Sequence, residues 1–259
     1  MFIPFGYYKG TGTFIPKHSP YAYYDGLNED SFDATNKTWS DIAEVNTTDD
    51  STFDTAMGVL PTHNSNGYFE ITDNNGASDE GFRYSGAGDT TNPFSFIAGT
   101  THTMITYVRV LDGDGGSCDI LGNNTSAGAV LLGAYSIGTN NFARGHVWAT
   151  SAKFTDTPND SVVTNTWQII GQRYADAGSG QRRVDAFVCD YNGTVSITQG
   201  TAFTPGAITA TSRELGTGRY NEVKGEYDFA AYALYRTDLT DSQIQDVCDG
   251  IFGRFGEPT

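Results

Sequence analysis

Two carboxylates stand on alternate residues at Glu226-Tyr227-Asp228. Alternate residues of a strand share one face, so an extended stretch here would aim both acids the same way. Cleavage of a glycoside needs such a pair as nucleophile and acid. The fuller spacings Glu-x-Asp-x-Glu and Glu-x-Asp-x-x-Glu, which bring a third acid into the cleft, do not occur in the chain. The four histidines, His18, His63, His102 and His146, are scattered, with no Gly-x-Ser-x-Gly elbow or cysteine partner motif. No HExxH or closely paired histidines suggest a transition metal. There is neither a phosphate-cradling loop nor a dinucleotide fingerprint, and the chain therefore reads as non-enzymatic.

Binding chemistry is better represented. Asp112-Gly113-Asp114-Gly115 opens like an EF-hand loop, but Asn123 stands at the twelfth position where glutamate belongs. The EF-hand is excluded. Asp112 and Asp114, with nearby carbonyls, remain a candidate calcium site beside the alternative of an Asp-Gly hairpin loop. Asp73, Asn75 and Asp79 form a second candidate of the same kind. No cofactor is required by anything in the sequence. Sugars are held by aromatic faces for stacking and polar side chains for hydroxyls. Arg144, His146 and Trp148 alternate along one short run, so they are the candidate ligand-binding residues. Trp167 and Trp39 read as core residues.

These residues need a scaffold. At 259 residues, rich in Gly, Thr, Asn, Asp, Tyr and Phe, the composition suits many strands joined by polar turns. A single all-β domain of this size is ordinary. The formal charge of −16 disfavours nucleic acid and anionic membranes as partners. Cys118, Cys189 and Cys248 are widely spaced and odd in number, so they read as small buried hydrophobes rather than a disulfide or zinc framework. Residues 1–9 have no basic segment followed by a long apolar one and do not read as a signal peptide. No run of about 18 apolar residues suggests a transmembrane span.

Residues 1–20 form an apolar arm punctuated by glycine and proline. Phe2, Ile3, Phe5, Tyr7 and Tyr8 are its candidate docking residues, for partner binding or homo-oligomerisation. Strands are expected at 68–71, 101–110, 118–122, 130–135, 144–149, 166–174, 183–189 and 213–219, with Asn192-Gly193 as a turn. Residues 229–235 are apolar on both faces, as in a strand buried between two layers. Thr240 and Gln243 make a capping box. Ile244, Val247, Cys248, Ile251 and Phe252 recur at helical spacing, and Gly253 and Gly256 end the helix. This helix is expected to lie across an edge of the domain.

The order of these segments is similar to the laminin-G-like, concanavalin A-type lectin and glucanase superfamily, of the kind found in bacteriophage structural proteins. The resemblance runs from about residue 21 to 256. It rests on Thr38-Trp39-Ser40-Asp41, Thr166-Trp167-Gln168, Leu215-Gly216 and the closing segment with Tyr235, Leu239, Thr240 and Ile244. It implies an all-β, two-sheet antiparallel jelly-roll sandwich over 21–259, with one short C-terminal helix. Predicted core residues include Tyr107, Trp167, Ile169, Val184, Phe187, Leu215, Ala231 and Tyr235.

Together these features suggest a non-enzymatic virion surface protein of a bacteriophage, in head decoration or tail attachment. Its lectin-like domain would meet a surface glycan, and its arm other virion proteins. The alternatives are a secreted carbohydrate-binding or adhesin module and a glycan-cleaving enzyme.

Overall fold

The computed structural model describes residues 14–28, 31–33, 35, 38–43, 52–54, 61–71, 83–84, 100–112, 117–123, 130–137, 140–148, 151–205, 215–216 and 226–256. In chain order the strands begin with β1 (Ala22–Asp25), β2 (Phe32–Asp33), β3 (Thr38–Ser40), β4 (Thr52–Asp54), β5 (Thr62–Asn64), β6 (Tyr68–Ile71) and β7 (Arg83–Tyr84). The longer ones follow as β8 (His102–Asp112), β9 (Ser117–Asn123), β10 (Val130–Ile137), β11 (Asn140–Trp148), β12 (Ala152–Asp156), β13 (Trp167–Gly178) and β14 (Gln181–Asp190). Then come β15 (Ser196–Thr198), β16 (Leu215–Gly216), β17 (Glu226–Tyr235) and the helix α1 (Asp241–Phe255). The strands form two antiparallel sheets. One runs β15-β14-β13-β8-β17-β6-β5, with β1 also on β17; the other runs β12-β11-β10-β9-β16-β7-β4-β3-β2.

The expected all-β sandwich is therefore present, and its layers follow from strand alternation. Between the sheets lie Tyr24, Phe69, Val108, Ile170 and Phe229 from the first, with Trp39, Ile120, Leu132 and Val147 from the second. The opposite face of the first sheet is equally apolar. Tyr107, Trp167, Ile169, Phe187 and Tyr235 are all buried there under α1, against Ile244, Val247, Ile251 and Phe252. A surface of that kind must be covered, because each such side chain is stabilised by about 1.5–3 kcal/mol on burial. For this reason α1 covers a sheet face and does not lie across an edge. Leu215 falls in β16, with its side chain outside the described residues.

The capping box forms as read: the Thr240 side chain accepts from the Gln243 amide, and the Gln243 side chain accepts from the Thr240 amide. Gly253 stays inside the helix, and only Gly256, at φ 64°, ends it. Nothing lies within 4 Å of a Cβ placed at Gly253, so that glycine answers no packing demand. Buried charges tie the helix to the first sheet. Arg173 binds Asp185 at 2.8 Å and reaches Asp241 at 2.7 Å, while Arg254 reaches Asp25 at 3.0 Å. Asp41, of the Trp39-Ser40-Asp41 run, accepts from the amides of Tyr23 and Ala43 and so fixes β1. Cys189 and Cys248 are free and buried; the side chain of Cys118 is outside the described residues.

Candidate functional site on the outer face of β11 and β12

β11 and β12 form a hairpin at one end of the second sheet. Along β11, Ala143, Gly145 and Val147 are buried toward the first sheet. Arg144 and His146 alternate with them and are only partly buried, on the outward face. The pairing register sets Arg144 opposite Asp156 and His146 opposite Phe154. The expected ligand residues Arg144 and His146 are thus brought together. Trp148 ends the strand opposite Ala152, with its side chain outside the described residues.

Two residues absent from the sequence expectation complete the cluster. Arg144 Nε and Nη2 donate to the two oxygens of Asp156 at 2.6 and 2.8 Å, a fork-on-fork pair. The same guanidinium lies over the Phe154 ring, 4.4 Å from its centroid. Phe154 is 55% exposed, the most exposed large hydrophobic among the described residues. The His146 ring meets Phe154 edge-on at 6.4 Å. Burial, and then the neighbouring Arg144 charge, lower the His146 pKa to about 4. That imidazole is neutral at physiological pH.

The first sheet holds this face in place. A Cβ at Gly145 would lie 2.9 Å from Gln172 Cβ, so glycine lets β11 approach β13 closely. Gln172 is fully buried, and its Oε1 accepts the His146 amide hydrogen at 2.8 Å. A ring with an exposed face, beside a polar pair that can exchange hydrogen bonds with hydroxyls, suits stacking against the apolar side of a pyranose.

The other expected residues fare differently. Glu226 and Asp228 do share β17, but Asp228 is buried and bound by Arg109, so the two acids do not open into a cleft. Asp112 ends β8 with its side chain outside the described residues, and Asp114 lies outside them altogether. Asp73, Asn75 and Asp79 also lie outside. Among the described residues no three His, Cys, Asp or Glu side chains cluster to hold a metal. Phe2, Ile3, Phe5, Tyr7 and Tyr8 lie outside the described residues. The segment just after them packs on its own helix: Phe14 meets Tyr23 edge-on, and Lys17 and His18 both reach Asp246. Among the described residues no helix is long and apolar enough to cross a membrane.

Comparison with known proteins locates the architecture. No protein-family model matches the sequence, and no curated protein matches it. Solved structures do. The binding domain of botulinum neurotoxin DC, in complex with SialylT, superposes with a TM-score of 0.60 at 10% identity, over 92% of this chain and 52% of that one. The fold is a lectin-like β-sandwich. The receptor-binding domain of botulinum neurotoxin D gives 0.58 at 9% identity over 93% and 56%. A serotype D ligand-binding domain in complex with N-acetylneuraminic acid gives 0.53 at 9% over 90% and 51%. The chain spans about half the length of these structures. At such identities the likeness is one of fold.

Proposed function

We propose that this chain is a carbohydrate-binding, lectin-like module that contacts glycans through the outer face of β11 and β12. The observation that carries the reading is the exposed Phe154 ring, backed by Arg144 and flanked by Asp156 and His146. The part of that ring left exposed beside Arg144 and His146 gains contact area against a sugar. The receptor-binding neighbours, two of them solved with sialyl ligands or sialic acid, support binding over catalysis through fold alone. A glycan array probed with the full chain tests the reading: specific retention supports it, and a blank array at high protein concentration overturns it.

The setting we propose is the surface of a bacteriophage virion, with residues 1–13 of the arm as the docking element, since Phe14, Lys17 and His18 pack on the chain's own domain. Its support is the sequence: an apolar arm, an acidic composition and the resemblance to phage structural proteins. Sedimentation velocity compares the full chain with one lacking residues 1–13, which spares the segment on α1. An oligomer that falls to a folded monomer supports arm-mediated assembly. Two identical monomers favour a free-standing adhesin module.

A further inference from the structure

We propose that the β11–β12 face is selective for neutral pyranosides and discriminates against sialylated ones. This rests on the glycan-binding reading and names its ligand class. Among the described residues of the face the charges cancel: Arg144 is the cation, and both oxygens of Asp156 are engaged by it at 2.6 and 2.8 Å. A sugar carboxylate would have to compete with that internal carboxylate for the same guanidinium, and would meet the Asp156 charge beside it. Like-charge juxtaposition of this sort is how a site rejects a wrong partner. His146 supplies no compensating charge, since its imidazole stays neutral well below pH 6. Lys153, the nearest lysine on β12, is directed to the Phe203 ring, on alternation from Phe154. The whole chain carries −16, so its long-range field also opposes an anionic ligand. What remains attractive is the exposed Phe154 ring and a neutral, hydrogen-bonding rim. Arg144 then acts as a support for the ring and a holder of Asp156, rather than as an anion receptor.

The test uses matched pairs, lactose against 3′-sialyllactose first, on an array and then by calorimetry with the full chain. The neutral member is expected to bind at least about tenfold more tightly, a difference of about 1.4 kcal/mol. Phe154→Ala, at an exposed position, is expected to abolish binding while leaving the melting temperature unchanged. Asp156→Asn frees the guanidinium and is expected to shift the ratio toward the sialylated member about tenfold. Equal or tighter binding of the sialylated members by the parent chain overturns this inference while sustaining the glycan-binding reading. Binding that survives Phe154→Ala overturns it as well, by placing the ligand elsewhere. An array blank for both members of every pair overturns both readings.

Discussion

Arg109 on β8 and Asp228 on β17 face one another across the first sheet, and the arginine's Nε and Nη2 both donate to one carboxylate oxygen, Oδ2, at 2.7 and 2.5 Å. The other oxygen is buried without a hydrogen-bond partner. Burial, reinforced by Glu70, pushes the Asp228 carboxyl up, while Arg109 pulls it down. The arginine also covers Tyr68 and Trp167 at 5.5 and 5.4 Å. Removing it leaves a buried acid uncompensated. Arg109→Met is expected to cost about 3–5 kcal/mol in urea unfolding, and Asp228→Leu added to it to recover most of that loss. No recovery in the double variant would show that the loss comes from packing over the rings.

His102 is fully buried in β8, with Nδ1 against the Thr100 carbonyl and Nε2 without a partner. Desolvation lowers its pKa from 6.5 to about 4. The unfolded chain therefore takes up this proton first on acidification. The stabilisation is complete above pH 6.5 and is lost as pH falls toward 4, amounting to about 3 kcal/mol. Asp25 and Asp228, with carboxyls pushed up by burial, act in the opposite sense. Comparing the parent with His102→Asn isolates the histidine. Unfolding free energies at pH 7 and 4.5 should differ less in the variant; equal differences would show that His102 is not desolvated.

Much of this was legible in the chain, and the limits have physical causes. Alternation alone put Arg144 and His146 on one face, because the period of a strand is fixed. Phe154 and Asp156 escaped notice because Lys153-Phe154-Thr155-Asp156 has a single large apolar residue and reads as polar. Their importance comes from register, set by the short connection between Trp148 and Ala152, and no local pattern encodes it. The Thr240–Gln243 box was readable because capping is a contact within four residues. The seat of α1 was half readable: both faces of β17 were plainly apolar from Phe229 to Tyr235, but which element covers the outer one is decided by distant strands. Gln172 shows the same limit, since its partner amide is on the other sheet.

The segment ahead of β1 is expected to behave as part of the domain. Phe14 packs near Gly250 and Tyr23, the Tyr235 hydroxyl donates to the Lys17 carbonyl, and Asp246 is held below the ordinary carboxylate range by His18 and then Lys17. Deleting residues 1–19 should therefore lower the melting temperature relative to deleting 1–13, by several degrees if about 1–2 kcal/mol of packing is lost. Thermal unfolding by circular dichroism checks this. Identical melts would mean that Phe14 contributes no net packing.

Gly145 offers the most direct link between packing and the site. It lies on β11 between Arg144 and His146, and a Cβ there would stand 2.9 Å from Gln172 Cβ and 3.2 Å from the Asp185 carbonyl oxygen. Gln172 belongs to a fully buried stretch of β13, and the Asp185 backbone to β14, so neither can yield without moving the first sheet. The strain is relieved most cheaply by lifting β11 outward, which stretches the Gln172–His146 bond and carries Arg144 and its stacked Phe154 with it. Gly145→Val is expected to cost about 1–3 kcal/mol by overpacking and to weaken glycan binding at least about tenfold. Gln172→Leu removes the amide's acceptor without adding bulk at β11. It should destabilise by about 1–3 kcal/mol, because the His146 N–H is left unpaired, and weaken binding less. Calorimetric affinities beside urea midpoints separate the two effects. Unchanged affinity in a destabilised Gly145→Val protein would show that the ligand does not depend on how closely β11 approaches β13.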